Sequence, residues 1–197
     1  LYVGALLATS AISWGDFALL ARVTGHDLAP GGEYQSLRRI READEAGAVD
    51  VVFLGSSHAY RGFDPRLFAV DDQRAFNLGS TNQTPLNAHY VAQRYLPAMK
   101  PGLVVVERYP HNLALDGFES ARDLAVNTSF HSSELGLAVA TRQWGAFHYA
   151  GAKGLGFTPN LEGVPQRPIE GETYVAGGYC ETNRRRAQLT PGGERLS

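Results

Sequence analysis

The chain has 197 residues, 44% of them apolar and 19% charged, which excludes a disordered or polyelectrolyte chain and leaves enough length to bury a core. Its net charge of −2 and isoelectric point near 6.3 argue against a basic nucleic-acid footprint, so no nucleic-acid partner is expected. The one cysteine, Cys180, excludes an internal disulfide framework and a multi-cysteine zinc site, and neither metal nor cofactor is expected. The only methionine is Met99 and residue 1 is Leu, so the sequence reads as a fragment.

Residues 1–23 carry only Asp16 and Arg22 as charges, and the first 14 carry none. A spanning helix needs about 20 apolar residues, so this segment is expected to be a membrane anchor. Residues 24–32, with Pro30, Gly31 and Gly32, read as a linker. From Glu33 the pattern becomes globular. Tyr34, Leu37, Ile40 and Ala43 recur at three-residue steps and predict a helix with one apolar face. Residues 49–55 (VDVVFLG) are a short β-branched run and predict a buried strand. Asp64 and Pro65 have the chemistry of an N-cap and first position, predicting a short helix over 64–70. A second short strand is expected at 75–79. Thr84-Pro85 then opens a helix to Met99 with Leu86, Tyr90 and Tyr95 or Leu96 inward, kinked or ended at Pro97. LVVVE (103–107) predicts a third buried strand. A helix is expected over 133–151, and the Gly- and Pro-containing stretch from 151 to 197 reads as irregular loop. Strands that alternate with helices predict parallel pairing in an α/β sandwich.

In open α/β sheets, ligands bind beyond the carboxyl ends of the strands. All three expected strand ends are polar: Gly55 to Gly62, Asn77 to Thr84, and Glu107 to Asn112. Ser57 is the candidate nucleophile, because a serine at a strand-to-helix turn presents its hydroxyl beside free backbone N–H groups that can stabilise an oxyanion. The competing reading has Ser56 and Ser57 as helix caps. Gly79 can present a second N–H, and Asn82 or Asn112 a side-chain amide. Tyr60 and Arg61 are candidates for lining the pocket, Arg61 against an anionic or polyhydroxyl substrate.

The blocks VVFLGSSHAYRGFDP, NLGSTNQT and VVVERYPHN, in this order, resemble the strand-end motifs of SGNH (GDSL-type) hydrolases. The resemblance covers residues 33–112 and is closest to membrane-anchored members of bacterial cell envelopes. It implies a three-layer α/β/α sandwich of flavodoxin-like type, truncated at its C-terminus, with residues 33–197 as a partial domain. It implies Ser57 as nucleophile, Gly79 as the oxyanion glycine and Asn112 as the oxyanion asparagine, with Asn82, Tyr60 and Arg61 binding substrate. The implied activity is that of an esterase or O-acyltransferase on acyl groups of an envelope polysaccharide, on the extracytoplasmic side of the membrane.

The sequence departs from the family pattern in four places. Ser56 replaces the usual Asp, Asn82 replaces the second glycine of the second block, and Gly-x-Asn-Asp is absent. No histidine of the six has Asp or Glu three positions before it, so the Asp-x-x-His base is expected beyond Ser197. His58 and His111 are the candidates for a base within the chain. A non-catalytic glycan-binding or scaffolding module is the alternative, and a phosphate- or nucleotide-binding domain using the serine-rich turn is a third reading.

Overall fold

The computed structural model describes residues 4, 35–129, 131–142 and 171–183. Apart from Gly4, the expected anchor over 1–23 lies outside that description, as do the linker over 24–32, residues 143–151 of the expected last helix, and residues 151–170 and 184–197 of the expected loop. No helix among the described residues is long and apolar enough to cross a membrane.

The described chain is an α/β fold built on a parallel three-stranded sheet. Helix α1 (Ser36–Glu45) leads into β1 (Val51–Leu54), and α2 (Ser57–Gly62) follows β1 directly. Strand β2 (Ala75–Asn77), helix α3 (Pro85–Met99) and strand β3 (Leu103–Val106) complete the sheet in the order β2-β1-β3. The register pairs Val52 with Phe76 on one side and with Val104 on the other. Helices α4 (Phe118–Asn127) and α5 (Ser132–Thr141) come next, and then a hairpin of β4 (Glu172–Val175) and β5 (Tyr179–Thr182).

Alternation along β1 divides the core between two faces. Val52 and Leu54, with Phe76 of β2, join Ala43, Val91, Tyr95, Met99, Leu124 and Leu137 from α1, α3, α4 and α5. Phe53 points to the opposite face, stacked on Phe63 at 4.7 Å and tilted against Phe68 at 5.2 Å. The sheet is therefore covered on both sides.

Several expected elements change. The 64–70 segment is not an α-helix but two 3₁₀ turns, Pro65–Leu67 and Ala69–Asp71, with Asp64 accepting from the Arg66 N–H at 2.9 Å as foreseen for an N-cap. Helix α3 begins with a reciprocal cap: Thr84 Oγ1 accepts from Asn87 N–H at 3.2 Å, and Asn87 Oδ1 accepts from Thr84 N–H at 3.1 Å. Pro97 sits inside its last turn without ending it, since only the bond back to the Gln93 carbonyl is lost. The inward face is Ala88, Val91, Tyr95 and Met99, while Leu86 is exposed. The third strand is not buried: Leu103 and Val106 are 54% and 46% exposed, at the sheet edge opposite the one that the 171–183 hairpin covers. The helix expected over 133–151 is described from Ser132 and ends at Thr141, followed by Arg142 at φ 53°.

The largest correction is at 171–183, expected as loop and found as a hairpin. Its turn uses Gly177 and Gly178 at φ 90° and 82°, conformations that favour glycine. A Cβ on Gly178 would lie 2.1 Å from the Asn77 carbonyl oxygen, so the turn packs directly on β2. Asn77 N–H donates to the Gly177 carbonyl at 2.7 Å and so closes the β2 edge. Arg39 of α1, only 3% exposed, holds the hairpin from within. Its Nε donates to the Gly178 carbonyl at 2.8 Å, its Nη2 donates to Cys180 Sγ at 3.1 Å, and its guanidinium lies 4.4 Å from the Tyr60 ring centre. Burial pushes the Cys180 thiol up, which keeps it neutral as an acceptor for that donor. Arg39→Met is expected to cost about 2–4 kcal/mol by leaving these partners unpaired. Urea unfolding would measure the loss, and amide exchange over 171–183 would accelerate selectively.

Candidate functional site

The carboxyl ends of β1, β2 and β3 converge, and buried side chains tie them together. Gln83 is the central tie. Its Oε1 accepts from Gly55 N–H at 2.7 Å, and its Nε2 donates to the Leu78 carbonyl at 3.0 Å and to Ser80 Oγ at 3.1 Å. Ser80 N–H donates to the Gly55 carbonyl at 3.0 Å. From the third strand end, Glu107 Oε2 accepts from both Ser56 N–H and Ser56 Oγ–H, each at 2.8 Å. Gly55 has φ 147°, and a Cβ there would meet the Glu107 Cβ at 2.7 Å, so only glycine fits this turn.

The two serines separate cleanly. Ser56 is 2% exposed and is the N-cap of α2, its Oγ accepting from His58 N–H at 3.3 Å. Ser57 is the first residue of α2 and is half-buried. Neither its hydroxyl nor its backbone N–H has a hydrogen-bond partner among the described residues, as the first N–H of a helix has no intrahelical acceptor. The capping role falls to Ser56, and Ser57 is the serine whose hydroxyl is uncommitted.

The other expected site residues are placed as follows. Gly79 lies against Gly55 and Ala59, but its N–H donates to Asn77 Oδ1 at 3.0 Å, so the donor foreseen for an oxyanion is engaged in the fold. Asn112 is buried, and its Nδ2 donates to the Gln83 carbonyl at 3.3 Å, with a second N–H on the same nitrogen. Asn82 is exposed, at φ 50°, and its Nδ2 donates to Glu119 Oε2 at 2.5 Å. Tyr60 is 0% exposed and packs with Tyr174 and Cys180, so it is core rather than pocket wall. Arg61 is paired with Glu172 of β4, whose side chain is 1% exposed; the partner expected in a substrate is instead a carboxylate of the fold.

Of the histidines, His58 is exposed, its ring 4.4 Å from the Tyr109 ring and its Nδ1 3.1 Å from Ser56 Oγ. His111 is exposed, its ring 6.1 Å from that of Tyr109. His89 is exposed on α3, beside Gln93. Gln83, Asn77 and Glu107 carry site functions that sequence reasoning did not assign. The available signal was a set of polar residues directly after apolar runs. No cluster of three or more metal-ligating side chains occurs among the described residues.

Below Gly79 and Ser80 lies a cavity of about 30 Å³, walled by Ile40, Leu78, Val91 and Leu124 and by the polar Ser36, Ser120 and Asp123. Asp123 Oδ2 accepts from Ser36 Oγ at 3.0 Å, Oδ1 has no hydrogen-bond partner, and Arg122 Nη2 is 3.8 Å from Oδ1. Burial pushes the carboxyl up to about 6, against the smaller opposing pull of Arg122 and Ser36. The folded state thus holds this proton more tightly than the unfolded chain. The stability contributed by this carboxyl is fully present below the unfolded value near 4 and is lost as pH rises through about 6, a difference on the order of 3 kcal/mol. Asp123→Asn is expected to flatten this slope, checked by urea midpoints measured between pH 4 and 7.

No family model, no curated protein and no solved structure matches the chain.

Proposed function

We propose that the chain carries a three-layer sandwich of SGNH (GDSL) type and acts as an esterase or O-acyltransferase through Ser57. The substrate is an acyl group on a cell-envelope polysaccharide, with residues 1–23 anchoring the domain on the extracytoplasmic side. The observation that carries this reading is the state of Ser57: a half-buried serine at the carboxyl end of the central strand, with hydroxyl and N–H both uncommitted, beside a buried serine that does the capping.

In this reading Ser57 Oγ attacks the ester carbonyl and forms an acyl-enzyme. The Ser57 N–H and the second N–H of Asn112 Nδ2 are the oxyanion donors, with Gly79 supplying close approach rather than a donor. Water completes hydrolysis; a sugar hydroxyl completes transfer. Asn82, Tyr60 and Arg61 are not needed to contact substrate.

The alternative is a non-catalytic SGNH-like glycan-binding or scaffolding module. The engaged Gly79 N–H favours it. Ser57→Ala in the full chain separates the two. The enzyme reading expects a loss on the order of 10³-fold or more in turnover of p-nitrophenyl acetate and of an acetylated polysaccharide. The module reading expects no turnover in either form and equal retention on an immobilised glycan.

A further inference from the structure

We infer that the cavity below Gly79 and Ser80 is a binding site for a short-chain primary alcohol, whose hydroxyl is held by Asp123 and by the Ser80–Ser120 pair. This site stands apart from Ser57 and does not rest on that serine being a nucleophile.

Asp123 lines the cavity and is 2% exposed. Ser36 Oγ donates to its Oδ2 at 3.0 Å, whereas Oδ1 has no hydrogen-bond partner and lies 3.8 Å from Arg122 Nη2. A buried acceptor without a donor is costly, so this wall favours a guest that brings one. The cavity also offers a hydrogen. Ser80 Oγ and Ser120 Oγ lie 2.6 Å apart and share one of their two hydroxyl hydrogens, while Ser80 Oγ accepts from Gln83 Nε2 at 3.1 Å. The second hydroxyl hydrogen of the pair is left for an acceptor. Ser120 and Asp123 are three residues apart on α4, so they project from the same side of that helix. A guest hydroxyl, which donates once and also accepts, satisfies both groups.

The rest of the wall fixes what carries that hydroxyl. Ile40, Leu78, Val91 and Leu124 present no polar side chain, and a water needs two to four polar partners. An alkyl tail suits these four residues better. The volume of about 30 Å³ exceeds the roughly 10–15 Å³ that one water needs, and it limits the guest to about two or three heavy atoms. Charge narrows the class further. Arg39 also lines the cavity, so the wall holds one guanidinium and, above pH about 6, one carboxylate. These two charges cancel. A metal cation, an ammonium or a carboxylate would enter without a counter-charge of its own, and nothing would offset its desolvation. Methanol and ethanol meet the conditions of size, hydrogen bonding and charge together.

The test titrates the full chain with ethanol above pH about 6 and follows the side-chain methyl groups by carbon-13 NMR. Saturable shifts are expected at Ile40, Leu78, Val91 and Leu124, half-complete on the order of 1–10 mM, close to the limit for a guest of three heavy atoms. Cross-relaxation from the ethanol methyl to the same side chains is expected as well. Ser120→Ala and Asp123→Asn are each expected to raise the midpoint about 5–10-fold, the loss of one hydrogen bond. Ethylammonium and acetate, titrated into the wild-type chain, are expected to give no saturable shift at these methyl groups. Shifts that rise linearly with ethanol and never saturate overturn the site and leave a cavity that takes water only. Saturation by ethylammonium or acetate at a lower midpoint than ethanol overturns the choice of a neutral guest. An unchanged midpoint in folded Ser120→Ala and Asp123→Asn overturns the part given to the hydroxyl. The wild-type titrations decide the first two outcomes even where a variant does not fold.

Discussion

Parallel strands that end side by side leave backbone donors and acceptors pointing past the sheet, and in a buried setting each must find a partner. Here the backbone bonds from Leu78 N–H to the Phe53 carbonyl and from Ser80 N–H to the Gly55 carbonyl meet part of that demand between β1 and β2, and one side chain, Gln83, meets a further part. A single amide accepts from Gly55 and donates to the Leu78 carbonyl. The constraint fixes how the two strand ends approach. Glycine is required at 55, where the turn takes φ 147° against Glu107, and at 79, where a Cβ would lie 2.9 Å from Asn77 Oδ1. The position of Ser57 follows from this clamp, since α2 begins two residues after Gly55.

Glu107 is the third side of the same clamp. It links β3 to the turn after β1 through two hydrogen bonds on one oxygen. One backbone N–H and one hydroxyl, both of Ser56, hold that carboxylate oxygen.

The opposite edge of the sheet depends on a different arrangement. A charged residue inside a core is costly unless every donor is used. Arg39 is used by a carbonyl, a thiol and an aromatic face, all from segments distant in sequence. This couples α1, α2 and the hairpin into one unit. Tyr60 supplies that aromatic face, and the next residue, Arg61, pairs with Glu172 of the hairpin.

Local chemistry was legible in the sequence wherever it acts over a few residues. The apolar runs of β1 and β2, the Thr84-Pro85 start of α3, the Asp64 cap and the polar strand ends all follow from patterning and capping rules. So does the parallel α/β class, because strands separated by helices pair that way. What the chain order could not reveal was contact between distant segments. The hairpin over 171–183 is hidden by its glycines, whose positive φ values become meaningful only against β2. The exposure of β3 depends on which sheet edge the hairpin covers, not on its own residues. That the Ser56 hydroxyl is engaged depends on Glu107, 51 positions away, and the contacts of Gly79, Tyr60 and Arg61 depend on Asn77, Arg39 and Glu172. A sequence determines which groups can donate, accept or turn; only the tertiary structure decides which of them are already spent.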